Sequence, residues 1–341
     1  MEESSRQNFW KGRVSVRPSR IWIAWETQRR SLTLSKAVGA ELYIFDWERR
    51  GAWRYPLSLL ATAKQLIRRP GIVFVQNPSM VLAVFAAALK NLLGHKLIVD
   101  RHSNFAFPGD SRGPLARRVS NWMSEFSIRR ADVTIVTNNE LVQEFVAGRG
   151  RAFVLPDPFP EIPARAPIER ANPRPFEILF VSSWQTDEPI REMIETCRIL
   201  GDDVRVYVSG RPKPGFQSLL ARRPENFVPT GFLTDDNYFD LMASVDAVMA
   251  VSTRPATLCC GAYEGATMGK PLILGDSSAT RAYFSAGAVY TSATVDDLVL
   301  KIRLLINNHA SLTSDVRAFH ARASVEWPKR LAALDELIES L

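Results

Sequence analysis

Two side chains suited to acid–base chemistry follow apolar runs of strand length. Glu26 comes directly after residues 21–25, and His102 comes shortly after residues 96–100. A carboxylate or an imidazole in such a position can transfer a proton or hold a hydroxyl group during a reaction. If the apolar runs are parallel strands, both side chains lie at the carboxyl edge of a sheet, where open α/β sheets bind their ligands.

A third candidate, Glu264, lies between two predicted β-to-α turns. It is carried on a short predicted helix after an apolar run, and a turn containing Ser277, Ser278 and Thr280 opens the next helix. Unpaired N–H groups and the positive dipole end at a helix start suit a phosphate. A carboxylate held between two such turns is well placed to accept sugar hydroxyls. The stretch 246–284 therefore predicts a nucleotide-sugar site; the alternative is an ordinary α/β connection with Glu264 as a solvated helix residue.

Apolar runs of strand length alternate with helical stretches along nearly the whole chain. Because the runs are continuously apolar, they predict strands buried on both faces, hence parallel sheets covered by helices. The predicted strands are residues 21–25, 42–45, 72–76, 96–100, 133–137, 153–155, 178–182, 204–209, 227–228, 247–251, 272–274 and 288–290. The predicted helices include residues 31–37, 56–69, 78–93, 114–130, 139–147, 295–308 and a last helical region, 314–341, that breaks near Pro328.

A proline-rich stretch divides the alternation into two halves. Seven prolines lie between residues 156 and 175, where neither a helix nor a central strand can continue. The sequence thus predicts two doubly wound, Rossmann-like α/β domains facing each other across a cleft. Residues 1–156 form the first domain, 157–175 the linker and 176–326 the second domain.

Composition is that of a soluble globular protein. The chain has 341 residues, of which 46% are hydrophobic and 23% charged. Its cysteines, Cys197, Cys259 and Cys260, lack metal-binding spacing and indicate reduced thiols. Residues 1–20 lack the apolar core of a signal peptide, and the most apolar run, 80–93, is too short to span a bilayer. We therefore expect a cytoplasmic chain.

Charge is distributed unevenly along the chain. Residues 1–170 carry 26 Lys and Arg against 15 Asp and Glu, whereas residues 171–341 carry 17 against 21. The basic first half can attract nucleic acid, an anionic lipid leaflet or a phosphorylated acceptor. Because its arginines are scattered and no RNA- or DNA-binding motif accompanies them, nucleic acid is not expected as a partner. The alternative is that many of these charges are solvated helix faces.

The segment around Glu264 resembles the donor-binding region of GT-B glycosyltransferases, especially the retaining family 4. Glu264, with Gly269 and Pro271 after it, is similar to the second Glu of the family's Glu-x7-Glu motif and the Gly-x-Pro that follows. The resemblance implies that Glu264 binds the ribose of a nucleoside diphosphate sugar. The first Glu of the motif falls on Ala256, which is a departure. The loop that follows is expected under the donor sugar and includes Thr257, Cys259 and Gly261.

The resemblance covers nearly the whole chain and implies further roles. His102 matches a family histidine beside the donor sugar, where it would hydrogen-bond the transferred sugar or act as a general base; the alternative is a structural histidine. Phe232 and Leu233 match a segment that sandwiches the nucleotide base. The last helix, residues 327–341, is expected to pack back on the first domain. The enzyme is expected to use a nucleotide-sugar donor and to need no metal or other cofactor.

Two cations of the family pattern are missing. Family members hold the leaving diphosphate with an Arg and a Lys at positions that are Ser183 and Glu188 here. Arg211 and Arg254 are the candidates to replace them. The family's Gly-rich loop after the first strand is also absent, so we expect Glu26 or Arg29 to contact the acceptor. Glu26 would be the base if the enzyme inverts stereochemistry.

The sequence therefore predicts a glycosyltransferase that moves a sugar from a nucleoside diphosphate to a lipid-linked or polysaccharide acceptor. It is expected to be retaining, independent of metal, and bound peripherally to the inner face of a membrane through its basic domain. Two alternatives stay open. One is a nucleotide-sugar epimerase of the same fold, and the other is a non-catalytic scaffold protein that has kept the fold.

Overall fold

Two parallel β-sheets organise the residues that the computed structural model describes, namely 19–47, 51, 53–77, 79–102, 113–165 and 174–341. The first sheet contains β1 Arg20–Ala24, β2 Glu41–Ile44, β3 Ile72–Gln76, β4 Lys96–Arg101, β5 Val133–Val136 and β6 Ala152–Val154. The second contains β7 Phe176–Phe180, β8 Val204–Ser209, β9 Phe227–Gly231, β10 Ala247–Ala250, β11 Leu272–Gly275 and β12 Ala288–Thr291. A predicted strand corresponds to each of these strands.

Helices connect successive strands. In the first domain these are α1 Arg29–Ala37, α2 Arg54–Leu66, α3 Met80–Leu93, α4 Pro114–Arg130 and α5 Asn139–Leu141, which continues as the π-helical turn Val142–Val146. The second domain and the C-terminal segment contain α6 Ile190–Leu200, α7 Gln217–Leu220, α8 Asp235–Ser244, α9 Cys260–Thr267, α10 Ser278–Tyr283, α11 Val295–Asn307 and α12 His309–Glu339. Pro114 begins α4, where its missing N–H costs no helical hydrogen bond.

Strand order places a crevice at the carboxyl edge of each sheet. The described strands of the first sheet are ordered β2-β1-β3-β4-β5-β6, and those of the second β12-β11-β10-β7-β8-β9. The order reverses between β1 and β3 and between β7 and β10, so the loops after these strands run apart and leave space for a ligand. The central strands β3 and β10 are buried along their whole length. The predicted fold class, two doubly wound domains of the GT-B type, is confirmed.

The last helix, α12, packs on both domains. Its first half places Val316 and Phe319 in the second domain's core, and its second half places Leu334 and Ile338 in the first domain's core. Burial of apolar side chains near both ends holds the helix across the two domains.

The predicted break near Pro328 is wrong, because α12 continues through it. Proline removes one helical N–H, but the preceding turn is exposed, so water can satisfy the carbonyl that loses its partner. Trp327 is half-buried and donates from Nε1 to the carbonyl of Pro156 at 3.0 Å. That bond fixes the middle of the helix to the segment joining the domains.

Some predicted features lie outside the described residues. They are residues 1–18 of the first domain, Pro78 at the predicted start of α3, and residues 166–173 of the linker. Within the described residues, none of the helices is both long enough and apolar enough to cross a bilayer.

Candidate functional site

Glu264 lies where the two domains meet, and both of its carboxylate oxygens accept hydrogen bonds. The residue is 6% exposed. Tyr238 donates from its hydroxyl to Oε2 at 2.6 Å, and Arg29 of the first domain donates from Nη1 to Oε1 at 2.8 Å. Burial and the Glu264 carboxylate raise the pKa of Tyr238, so its phenol remains a donor. Glu264 is therefore a fixed acceptor, and not the solvated helix residue of the alternative interpretation.

Two glycines hold α9, the helix of Glu264, close to the second sheet. A Cβ on Gly265 would lie 2.9 Å from the Val248 side chain, and one on Gly261 would lie 2.7 Å from the Val181 side chain. Contacts this short leave no room for a larger residue. Gly261, which was expected under the donor sugar, therefore allows α9 to pack closely on the sheet. This close packing fixes the position of Glu264 relative to the sheet.

His102 follows β4 and lies beside a buried ion pair. Its Nδ1 is 3.6 Å from Oδ2 of Asp100, and its side chain is 20% exposed. Asp100 is held by Arg30, which donates from Nε and Nη2 at 2.8–3.0 Å. Burial alone would raise the pKa of Asp100, but Arg30 and His102 attract its charge and lower the pKa to about 2. Arg30 binds Asp100 beside His102, and the adjacent Arg29 binds Glu264. Two consecutive arginines therefore link the surroundings of His102 to those of Glu264.

A carboxylate occupies the loop where a cation is expected. Glu188 accepts from the Ser182 hydroxyl at 2.6 Å, from the Ser183 amide at 3.0 Å and hydroxyl at 2.9 Å, and from the Gln185 amide at 3.1 Å. The loop after β7 therefore folds around an internal anion. Ser183, predicted to bind the donor, has its amide and hydroxyl donors engaged by Glu188.

The two arginines proposed to replace the missing cations are placed differently. Arg254 lies in the loop after β10, and its Nη2 is 3.0 Å from Oδ1 of Asp187. That pairing offsets its charge. Arg211 is exposed, two residues after the end of β8, on the side of the sheet that also carries the loop of Ser183.

The turn expected to bind a phosphate is capped by protein groups. The Ser277 hydroxyl accepts from the Thr280 amide at 3.1 Å, and the Thr280 hydroxyl accepts from the Ser277 amide at 3.1 Å, which forms a capping box. Glu140 of the first domain accepts from the Ser278 hydroxyl and, at 3.2 Å, from the Ala279 amide. A carboxylate from the opposite domain thus lies where the sequence predicted a phosphate.

Ala256, at the position of the family's first Glu, is buried against the first domain. It has a φ of +54° and is 1% exposed. Its side chain belongs to a cluster with Val136 and Phe145, and Asn138 donates from Nδ2 to its carbonyl at 3.0 Å. A left-handed conformation costs a non-glycine residue roughly 1–2 kcal/mol. The contact with the first domain offsets that cost and fixes the loop that precedes α9.

Other residues expected at the donor lie near the same edge of the second sheet. Thr257 donates from its hydroxyl to the carbonyl of Pro255 at 3.2 Å, and is half-buried. Burial raises the pKa of the Cys259 thiol to about 12, so it is uncharged at neutral pH. Phe232 is 77% exposed directly after β9, whereas Leu233 is half-buried. The exposed ring of Phe232 is available to stack on a planar group.

A pocket of about 280 Å³ lies at the carboxyl edge of the first sheet. Its lining includes the aromatic residues Trp25, Trp47 and Tyr55, the carboxylate of Glu26 and the guanidinium of Arg54. The Glu26 carboxylate accepts from Gln28 Nε2 at 3.3 Å. The pocket can hold a small ligand against aromatic faces with one acidic group beside it.

Sequence reasoning missed the residues that connect the domains. The sequence did not predict the interdomain contacts made by Asn138, Glu140 and Arg29. Polar residues at helix starts usually cap the helix or face solvent. Sequence reasoning also missed Arg101, which is fully buried, donates to the Ser124 hydroxyl at 2.6 Å and lies 4.6 Å above the Phe145 ring. Arg101 is the last residue of β4 and Arg30 lies in the first turn of α1, and the polar residues around both gave no sequence signal for burial.

Comparisons with known proteins agree with this architecture. Residues 18–157 match the family described as Glycosyl transferase 4-like domain. No curated protein matches the chain by sequence. Among solved structures, HepE of Anabaena in complex with UDP and glucose superposes with a TM-score of 0.69 at 16% identity, over 94% of this chain and 92% of that one.

Two further solved structures share the fold. Sucrose-phosphate synthase from Thermosynechococcus elongatus has a TM-score of 0.72 at 12% identity, covering 94% of this chain and 99% of that one. The lipopolysaccharide outer core galactosyltransferase WaaB in its apo form has a TM-score of 0.63 at 14% identity, with coverage of 94% and 99%. The chain therefore has the GT-B fold, and its residues 18–157 match the family described as Glycosyl transferase 4-like domain.

Proposed function

We propose that this protein is a glycosyltransferase that moves a sugar from a nucleoside diphosphate to a lipid-linked or polysaccharide acceptor. The observation that carries the proposal is the environment of Glu264, a buried carboxylate where the two domains meet. Among the described residues, its Oε1 is hydrogen-bonded only to Arg29, whose side chain is mostly exposed. A ribose diol can take the place of the guanidinium at Oε1 while Tyr238 keeps Oε2 in position. HepE, of the same fold, binds UDP-glucose.

The proposed reaction is retaining and needs no metal. The bond between the anomeric carbon and the diphosphate oxygen breaks, and its electron pair stays on the diphosphate. The acceptor hydroxyl attacks from the same face and passes its proton to the leaving phosphate, so no protein nucleophile is required. His102 would hydrogen-bond the transferred sugar as positive charge develops at the anomeric carbon.

The acceptor would bind at the first domain. The pocket beside Glu26 has aromatic walls on which the C–H face of a sugar ring can pack, while the carboxylate accepts a hydroxyl. If the stereochemistry proves inverted, Glu26 is the base to test. A role in polysaccharide biosynthesis would follow from a glycan acceptor.

Helix α4 supports attachment to the inner face of a membrane. Leu115, Val119 and Trp122 are exposed and recur at i, i+4 and i+7, so they lie on one side of the helix. Arg118, three residues after Leu115, borders this side and would face anionic headgroups, whereas Arg117, two residues after Leu115, lies on the other side of the helix. We expect binding to vesicles containing phosphatidylserine that weakens with salt and with Leu115→Ser, whereas Leu300→Ser on α11 has no effect. Absence of binding at low and high salt would remove the membrane part of the proposal.

One assay tests the transferase. The purified protein is incubated with UDP-, GDP-, ADP- and dTDP-sugars, and both nucleoside diphosphate release and the identity of the sugar product are followed. We expect transfer to an acceptor, with Glu264→Gln weakening donor binding and His102→Ala slowing transfer. Glu195→Gln, at an exposed position on α6, is the matched control.

The same assay separates the alternatives. A putative UDP-N-acetylglucosamine 2-epimerase from Listeria monocytogenes shares the fold, with a TM-score of 0.57 at 13% identity over 95% of this chain and 98% of that one. A changed sugar that remains on its nucleotide would favour an epimerase. If no nucleotide binds and both variants match the wild type, the non-catalytic scaffold is favoured.

A further inference from the structure

The donor side of the cleft is short of positive charge. A leaving diphosphate needs its growing negative charge offset, usually by a bidentate Arg or a Lys when no metal does so. The loop after β7 instead carries the carboxylates of Asp187 and Glu188. Arg254 is paired with Asp187, so its charge is already partly used. A nucleoside diphosphate bound here therefore depends on the exposed Arg211 after β8 or on a cation from the first domain.

Arg29 is a cation that reaches this side from the first domain. Its Nη1 is 2.8 Å from Oε1 of Glu264, and its Nη2 is 3.4 Å from Oδ1 of Asp235. The side chain is 60% exposed, so its guanidinium can turn within the cleft. The adjacent Arg30 cannot, because its side chain is 5% exposed and is bonded to Asp100 and Asp157.

We propose that Arg29 binds the diphosphate of the donor and offsets the charge of the leaving group, so that the first domain completes the donor site when the cleft closes. The inference rests on the proposed function. Ribose hydroxyls would displace Arg29 from Glu264, and the guanidinium would then turn to the neighbouring phosphate oxygens. As the bond from the anomeric carbon to oxygen breaks, its electron pair stays on the diphosphate, where Arg29 stabilises it.

The competing interpretation is that Arg29 only holds the two domains together through its ion pair with Glu264. The two interpretations predict opposite effects of Arg29→Ala on nucleoside diphosphate binding. Such an ion pair competes with the ribose, so its removal would tighten binding of a nucleoside and of its diphosphate alike. If Arg29 binds the phosphates, it contributes to the affinity for the diphosphate but not for the nucleoside. Its removal would then weaken binding of the diphosphate alone.

The experiment compares ligands with and without phosphates. Isothermal titration of the full chain with UDP, GDP, ADP and dTDP identifies the base, and the selected diphosphate is then compared with its nucleoside. For Arg29→Ala we expect diphosphate affinity to fall at least tenfold while nucleoside affinity stays equal or rises. We also expect kcat to fall about 10²- to 10³-fold. Arg29→Lys should recover part of both losses, and Arg303→Ala, at an exposed position on α11, should match the wild type.

The outcomes separate the two proposals. If the wild type transfers sugar but Arg29→Ala changes nucleoside and diphosphate affinities equally, or tightens both, the role of Arg29 is overturned and the transferase stands. If the wild type binds no nucleoside diphosphate and transfers no sugar, the proposed function fails and the role of Arg29 fails with it. Because Arg29 is mostly exposed, the variant is expected to fold, which far-UV circular dichroism checks.

Discussion

Arg30 and Asp100 form a buried ion pair in which the guanidinium donates from Nε and Nη2 to the carboxylate at 2.8–3.0 Å. Burial alone would lower the pKa of Arg30, but Asp100 and Asp157 outweigh it and raise the pKa. Removing one partner leaves a buried charge, so Arg30→Ala should lower the free energy of unfolding by about 3–5 kcal/mol. Urea denaturation measures this. Arg129→Ala, in an exposed pair with Glu125, should cost below about 1 kcal/mol.

The same pair predicts a dependence of stability on pH. The pKa of Asp100 is lowered from 3.8 to about 2 in the folded protein, so its stabilising effect is complete above pH 3.8 and is lost as pH falls through about 2. We expect the wild type to lose stability in this window more steeply than Asp100→Asn. Equal slopes for the two proteins in acid denaturation would contradict the assignment.

Glu188 fills a loop that could otherwise offer amides to a phosphate. Glu188→Ala removes a negative charge and releases the Ser183 amide, so we expect tighter binding of the diphosphate selected by titration. Lost hydrogen bonds should also lower the free energy of unfolding by about 1–3 kcal/mol. Glu195→Ala on α6 is the control. Weaker binding in Glu188→Ala would mean that the carboxylate shapes the loop for the donor.

Glu140 of the first domain accepts hydrogen bonds from Ser278 and Ala279 at the start of α10, and we expect this contact to hold the domains together. In Glu140→Ala the Ala279 amide loses its acceptor, so hydrogen exchange at this turn should accelerate. Small-angle scattering should show a larger radius of gyration as the domains separate. Glu125→Ala, in the same domain but in a pair on α4, should leave both measurements unchanged. Unchanged exchange in Glu140→Ala would show that this contact does not restrain the turn.

Ala256→Glu would restore the first Glu of the family motif, yet we expect it to disrupt the protein. The alanine side chain is buried against Phe145 of the first domain, where a carboxylate would be unpaired. The variant should lower the midpoint of urea unfolding and weaken domain closure in scattering. Ala256→Ser, which changes volume little, is the matched variant and should behave nearly like the wild type. Tighter donor binding by Ala256→Glu would refute this prediction.

The sequence by itself determined the strands, the two sheets and the position of Glu264. Continuous apolar runs identify strands buried on both faces, because every side chain of such a strand contacts the core and must be apolar. The helix of Glu264 could be located because it follows an apolar run of strand length and is ended by Gly269 and Pro271. Pro328 misled the prediction because one missing N–H was outweighed by distant burial at both ends of α12.

Only the tertiary structure decided which protein groups contact the residues predicted to bind phosphate and ribose. Arg29 is 235 positions from Glu264, Glu140 is 139 from Ala279, and Asn138 is 118 from Ala256. Such contacts depend on how the two domains are placed relative to each other, and no local pattern encodes that placement. Glu188 is close in sequence to Ser183, yet the sequence showed only that it replaces a Lys of the family pattern. Its role as an internal anion emerges when the loop's amides are seen to converge on it.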